Sequence, residues 1–301
     1  MWPFRRLSLL FMIILTLIAR LPFFLLYRLS DVLFVLTAYV IRYRRRVVLD
    51  NLRHAFPEAS DDRIHQLARD FYRNFCDVVV ETIKLPHMTA DEMRKRVVTV
   101  NTELVQHYIK EGQTLLGTAG HQCNWEWVPA ATLVHDIPVD SVYKPLHNEL
   151  SERLMQQIRS TFGAHLVPMN RLPRELVARR PIPRIIALVA DQMPNLPETA
   201  YWTDFLHRDT PFFPGTERLA RSQQLPVVYL DMVRIRRGYY TATFSLLAAP
   251  PYTDLPNGAI LERYRDRLTQ TIMAQPSNWL WSHKRWKHHR AKYAKIHTRL
   301  D

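Results

Sequence analysis

Glycine is scarce, at seven residues in 301. Phosphate-cradling loops need several glycines in close succession, and neither GxGxxG nor GxxxxGK[ST] occurs, which excludes the common nucleotide-binding turns. Cysteine is scarcer still: Cys76 and Cys123 supply neither a disulfide framework nor a four-thiolate zinc cluster, so a reducing compartment is expected. No H-E-x-x-H occurs, and His288-His289 sits in a basic stretch that repels a cation, so no metal site is expected. Internal repeats and low-complexity segments are also missing. What is present, 47% hydrophobic and 23% charged residues, describes a folded chain long enough to bury a sizeable core in one large domain or two small ones.

Acidic residues are short at the two ends. The net charge is +13. Residues 1 to 46 hold eight arginines against Asp31, and residues 283 to 299 hold seven cations with no acid, whereas residues 47 to 282 carry 26 basic and 26 acidic side chains and are neutral. Basicity therefore belongs to the termini, and at the amino end it is interleaved with apolar runs. Leu7 to Ala19 is uncharged, and with Arg20 and Pro22 tolerated the run reaches Tyr27, a helix of about 31 Å that just matches a hydrocarbon core. Leu29 to Ile41 is too short and, with Asp31, too polar to cross. The pattern predicts one anchor helix followed by an interfacial helix whose arginines meet lipid phosphates. A cleaved signal peptide would need small residues after Ala19, where RLPFFLLYRLS stands. A nucleic-acid arm would not interleave arginine with so much leucine and phenylalanine, so no nucleic-acid partner is expected. A soluble core helix fits Leu7 to Ala19 taken in isolation. The expected organisation is a membrane segment over 1–46 and a folded domain over 47–301, with the arginine excess favouring the cytoplasmic face.

Within the neutral body, apolar periodicity predicts a helix over Asp61 to Ile83, ended by Leu85-Pro86. Helices then alternate with short strands: Thr114–Thr118, Pro138–Tyr143, Ala164–Pro168, Ile182–Ala190, Leu225–Val233 and Tyr239–Leu247 as strands, Thr102–Glu111, Glu126–Val134, Glu149–Thr161, Pro173–Arg179, Glu217–Ser222 and Ala259–Ala274 as helices. That alternation predicts an α/β fold with a mostly parallel sheet flanked by helices.

Directly after the strand TLLGT stands Gly120-His121-Gln122-Cys123-Asn124-Trp125-Glu126. Positions five apart lie about 140° apart around a continuous helix, so His121 and Glu126 meet only if His121 lies in the preceding turn and Glu126 in the first helical turn. Glu126 would then hold one imidazole nitrogen and leave the other to take a proton from a hydroxyl. A structural, hydrogen-bonded histidine is the competing reading. Cys123 beside it reads as a small buried residue rather than a nucleophile.

These residues resemble the histidine-x4-acid motif of the glycerolipid acyltransferase superfamily. Phe162 to Pro168 leading to Asn170-Arg171 is similar to that superfamily's second block, and Leu225-Pro226-Val227-Val228 to its fourth. The third block, E-G-T-R, is missing, and Ala190-Asp191-Gln192 stands in its place. Within the superfamily the chain resembles the late (secondary) acyltransferases of lipid A biosynthesis, on the basic amino-terminal segment, Val142-Tyr143-Lys144-Pro145, Ala190-Asp191-Gln192, Phe212 to Gly215 and Pro276-x-x-Trp279-Leu280-Trp281-x-His283-Lys284-Arg285.

The resemblance implies transfer of a fatty acyl group from an acyl carrier protein or coenzyme A thioester to a hydroxyl of a lipid A precursor at the inner membrane, with no cofactor. It makes His121 the base and Glu126 its orienter. Lys144 and Arg171 become candidates for substrate phosphate or the developing oxyanion, Arg171 and Arg174 being equally readable as surface charges. Asp191 and Gln192 either orient substrate or cap a strand end, and Trp279, Trp281 and Trp286 are either an interface belt or core. Two other functions fit the same pattern: an O-acyltransferase for another glycolipid or phospholipid, and an inactive membrane-binding module of the same fold.

Overall fold

The computed structural model describes residues 12–293. Residues 7–11 of the expected anchor, with Arg5 and Arg6, lie outside them, as do Lys295 and Arg299. The chain is helical over residues 12–20 (α1) and breaks at Leu21-Pro22. A single helix through Tyr27 is therefore corrected: proline disfavours the helical conformation in the residue before it, and Pro22 itself is extended at φ −64°, ψ 153°. A new helix, α2 (Phe23–Val35), runs on through a π-helical turn at Leu36–Val40. Phe23 to Val40 is long and apolar enough to cross a membrane. Only Leu26, Ser30 and Phe34 of α2 are buried, against α4 (Asp61–Lys84), while Phe24, Val32 and Val35 are exposed. α3 (Arg45–Ala55) connects the two, and α4 opens on the N-cap Ser60, which accepts the Arg63 amide.

Beyond α4 come α5 (Ala90–Arg96), β1 (Val97–Val100), α6 (Thr102–Lys110), β2 (Leu115–Ala119), α7 (Val128–Leu133), β3 (Val139–Tyr143), α8 (Glu149–Arg159), β4 (His165–Pro168), α9 (Leu172–Ala178) and β5 (Ile185–Val189). A hairpin of β6 (Tyr201–Phe205) and β7 (Arg208–Phe212) is followed by α10 (Gly215–Gln223), β8 (Val227–Arg236), β9 (Tyr239–Ala248) and α11 (Ala259–Ala274). The main sheet has seven strands in the order β1-β9-β8-β2-β5-β3-β4. β8, β2, β5, β3 and β4 run parallel, and β9 turns back antiparallel to β8 and carries β1 beside it. The α/β class and mostly parallel sheet are those the sequence predicts.

β2 lies at the centre with all five residues buried, and alternate side chains feed opposite layers. Leu115, Val228 and Leu230 join a core built with α5, α6 and α7, whereas Leu116 and Val227 pack with Ala220 and Ile260 of α10 and α11. Tyr229 joins a third cluster with α3, α4 and the tryptophans of residues 279–286. Trp279, Trp281 and Trp286 are thus core rather than an interface belt.

Candidate active site

Parallel strands place the residues that follow them side by side. In the register of β2 and β5, Ala119 faces Val189. His121 and Asp191 each stand two residues further on, at the same end of the sheet, and this offset brings them together across 70 positions of sequence. Asp191 Oδ1 lies 2.5 Å from His121 Nδ1, and Oδ2 accepts the His121 backbone N–H at 2.7 Å. The indole N–H of Trp279 also donates to Oδ2, at 2.7 Å. Gly120 packs against α11 beside the pair: a Cβ there would stand 2.5 Å from Leu268 Cδ1, which would have to shift, and in ordinary contact with Asp191 Oδ2 at 3.4 Å.

Asp191 is only 2% exposed. Burial alone would push its carboxyl up, but the His121 charge and the hydrogen bonds from His121 and Trp279 outweigh it and hold the group down at about 2. An ionised carboxylate on Nδ1 requires the proton to be there, which leaves the lone pair on Nε2. That nitrogen is met by the Gln192 side-chain amide, whose Nε2 donates at 3.1 Å from an exposed position. Trp125 packs its ring edgewise on the imidazole, 5.2 Å between centroids.

The contact expected between His121 and Glu126 is not formed, and the correction has a local cause. The helix begins at Val128, two residues later than required, and Cys123 adopts φ 52°, so the loop turns Glu126 away. Its carboxylate accepts a fork of hydrogen bonds from Arg159 at the end of α8, 2.7 Å from Nε and 2.6 Å from Nη2. Burial would lower the Arg159 guanidinium, but Glu126 outweighs it and holds the ion charged. Glu126 also accepts from the Trp125 indole at 3.2 Å, so its link to His121 runs through that ring.

Lys144 directly follows β3 and donates to Asn195 Oδ1 at 3.0 Å, and Arg171 follows β4 and is exposed. His121, Asp191, Gln192, Lys144 and Arg171 therefore all lie just past the carboxyl ends of adjacent parallel strands, where open α/β sheets bind ligands. Only His121, Asp191 and Gln192 touch one another; neither Lys144 nor Arg171 makes a hydrogen bond or ion pair to them.

The carboxy-terminal segment closes over this edge. Leu280 N–H donates to His121 O at 3.1 Å and Cys123 N–H to Asn278 O at 2.9 Å, while Asn51 on α3 holds the carbonyls of Trp281 and His283. His283 Nε2 accepts the Met193 amide at 3.2 Å. Burial and the neighbouring Arg285 charge press that imidazole down to about 4, so it is neutral and fixes the backbone beside Gln192. Arg285, fully buried, is pulled down to about 10 by burial, against the opposing charge of Asp191. Cys123 is buried with its thiol donating to Met232 O, and burial raises it far above its ordinary range, which removes it as a thiolate nucleophile.

The site is thus a carboxylate-oriented imidazole whose second nitrogen meets only the Gln192 amide, at the carboxyl edge of an α/β sheet, an arrangement with the chemistry of a general base. The family model for bacterial lipid A biosynthesis acyltransferases matches residues 3–288, and the chain belongs to that family. It is an acyltransferase of lipid A biosynthesis. No curated protein matches the chain significantly.

Proposed function

We propose that the protein transfers a fatty acyl group from an acyl carrier protein thioester to a hydroxyl of a lipid A precursor on the cytoplasmic face of the inner membrane, with His121 as the general base. The observation that supports the mechanism is the pairing of His121 with Asp191, which leaves the lone pair on Nε2, beside the exposed Gln192 amide. The acceptor hydroxyl takes the place of the Gln192 amide on Nε2. Nε2 removes its proton, and the oxygen attacks the thioester carbonyl. Asp191 stabilises the imidazolium that forms, and the tetrahedral adduct collapses by expelling the carrier thiolate, which regains the proton from Nε2. The products are an acyloxyacyl ester and the free carrier thiol, and no acyl-enzyme forms.

Glu126 acts one step away from the ring, by fixing Arg159 and the Trp125 indole. Lys144 and Arg171, at the ends of the outer strands, meet acceptor phosphates. If Glu126 and Arg159 work as a unit, Glu126→Ala and Arg159→Ala lower turnover by similar factors, and the double variant is no worse than the more damaged single. A Glu126→Ala loss far beyond that of Arg159→Ala would instead place the carboxylate on the reacting groups.

The assignment is tested with the purified full chain, an acyl carrier thioester and a lipid A precursor bearing free 3-hydroxyacyl groups. The acceptor is expected to gain the mass of one acyl chain. An unmodified precursor, together with acylation of another glycolipid or of a phospholipid under the same conditions, would overturn it.

A further inference from the structure

A groove of about 310 Å³ lies where the π-helical turn at Leu36–Val40 meets α3 and α4. Arg45 from the first turn of α3 and Arg69 and His65 from α4 stand around it, with the rings of Tyr39 and Tyr72 and the methyl groups of Ala38 and Ala68 as its apolar wall. Two features set these arginines apart. Neither Arg45 nor Arg69 forms a side-chain hydrogen bond or ion pair with another described residue, although nearby acids are engaged: Asp61 with Arg53 at 3.0 Å, and Asp50 with His54 and Arg208, both at 3.5 Å. Asp62 is the one carboxylate on the groove wall, in the first turn of α4, where the helix dipole already favours it. Arg46, the next residue along α3, likewise has no carboxylate partner among the described residues.

The second feature is what leads to the groove. Phe24, Val32, Val35, Leu36, Tyr39 and Val40 are all exposed, and at about 100° per residue they fall on one side of the helix, with Arg28 among them, so they form a stripe along the outer side of α2 and the π turn that ends at the groove. An apolar stripe running into a pocket of unpaired guanidiniums is complementary to one kind of molecule: an amphiphile with long hydrocarbon chains and an anionic phosphate head. We propose that this groove is a binding site for an anionic bilayer phospholipid, its phosphodiester held between Arg45 and Arg69 and its acyl chains laid along the stripe. Guanidinium forks match phosphate oxygens, and Tyr39 stands at the junction of head and tails. No groove residue contacts His121 or Asp191, so the site is distinct from the acyl-transfer centre and does not depend on which acceptor that centre uses.

The test is native mass spectrometry of the full chain released from a neutral detergent, titrated separately with dioleoyl-phosphatidylglycerol, dioleoyl-phosphatidylcholine and inorganic phosphate. One saturable phosphatidylglycerol adduct is expected, weakened about 30-fold in Arg45→Gln/Arg69→Gln, as two cations near an anionic head imply. Arg45→Lys/Arg69→Lys should recover part of the affinity, and Lys110→Gln on α6 should change nothing. Equal retention of phosphatidylglycerol and phosphatidylcholine, or an adduct indifferent to the double substitution, would overturn the proposal. Binding of inorganic phosphate as tight as that of the lipid would overturn the role of the stripe. A raised KM for the lipid A precursor in the double variant, measured in detergent without phospholipid, would give the groove to the acceptor instead; unchanged detergent activity with loss of the adduct supports the site as stated.

Discussion

His121→Ala should lower turnover by about 10³-fold, with the fold and the behaviour in detergent retained. Nε2 is the proton acceptor in the proposed reaction, and alanine leaves no other base on that side of the loop: Gln192 cannot take a proton, Glu126 is locked by Arg159, and the neutral imidazole of His283 accepts the Met193 amide. The side chain is lost at the sheet edge rather than from the centre of a hydrophobic layer. The three-way arrangement of Asp191 with the residue 121 amide and the Trp279 indole survives in part, since both N–H donors remain. Circular dichroism and detergent-phase partition indistinguishable from the parent, together with a KM for acceptor changed by less than about threefold, would separate lost chemistry from lost structure. Turnover within about tenfold of the parent would remove His121 from the proposed role.

Asp191→Asn should cost about 10²- to 10⁴-fold in turnover for a different reason. An amide can accept from His121 N–H and from the Trp279 indole, so the local hydrogen bonds have a route to persist. What it cannot do is offer a negative charge to Nδ1–H. The imidazole then gains a competing tautomer with the proton on Nε2, which is useless as a base, and the imidazolium loses its counter-ion. The substitution also leaves the buried Arg285 facing no anion, and a stability loss of about 2 kcal/mol fits a carboxyl held near 2 against an ordinary 3.8. The sign follows from the direction of the shift. A carboxyl depressed in the folded state contributes stability that is complete above its unfolded value and is lost as pH falls from about 4 through 2, so the parent should show this loss and the asparagine variant should not. Because Asp191 stays ionised well below neutrality, its titration does not shape the pH dependence of activity above about pH 5.

The loop carrying His121 is tied down by more than the contact with Asp191. Asn124, fully buried, donates to Glu81 Oε2 at 2.8 Å, and that carboxylate also accepts from the Tyr240 and Tyr27 hydroxyls. Tyr27 belongs to α2 and Glu81 to α4, so the apolar helix and the His121 loop share one buried acid. Burial raises the Glu81 carboxyl against the hydrogen bonds it receives. Asp77, one turn earlier, repeats the arrangement with Ser30, Arg234 and Arg237. These contacts explain why α2 packs on the α/β body despite burying so few apolar side chains.

Much of the sheet was legible in the residues because each long element carries one clear period. Ala259–Ala274 has the expected limits, and α4 runs one residue beyond the expected end before it passes into a 3-10 turn at Leu85–His87. β6 and β7 left no such signal: YWTDF and RDTPF carry acids and a proline, and they pair across Leu206-His207 at φ 52° and 64°, a turn that usually announces itself with Asn-Gly. The break at Pro22 was readable from the proline itself, and apolar composition masked it.

The partner of His121 was legible only as a strand end. Histidine-x4-acid is a local pattern, and local reasoning assigns the acid within it. Asp191 comes from 70 residues away, and the signal that links the two is a matched offset: Thr118-Ala119-Gly120-His121 after one strand and Leu188-Val189-Ala190-Asp191 after its parallel neighbour. Strand pairing must be known before that offset means anything. The clamp of Trp279 on Asp191 is hidden for the same reason, since a tryptophan in a basic tail carries no indication of which carboxylate it will cover.

The most direct measurement is the double-mutant cycle of His121→Ala and Asp191→Asn on turnover, with acyl carrier thioester and lipid A precursor. If the carboxylate works only through the imidazole, the double variant turns over no more slowly than His121→Ala alone. Losses that multiply would show that Asp191 acts on the reaction independently of His121, and would contradict the mechanism.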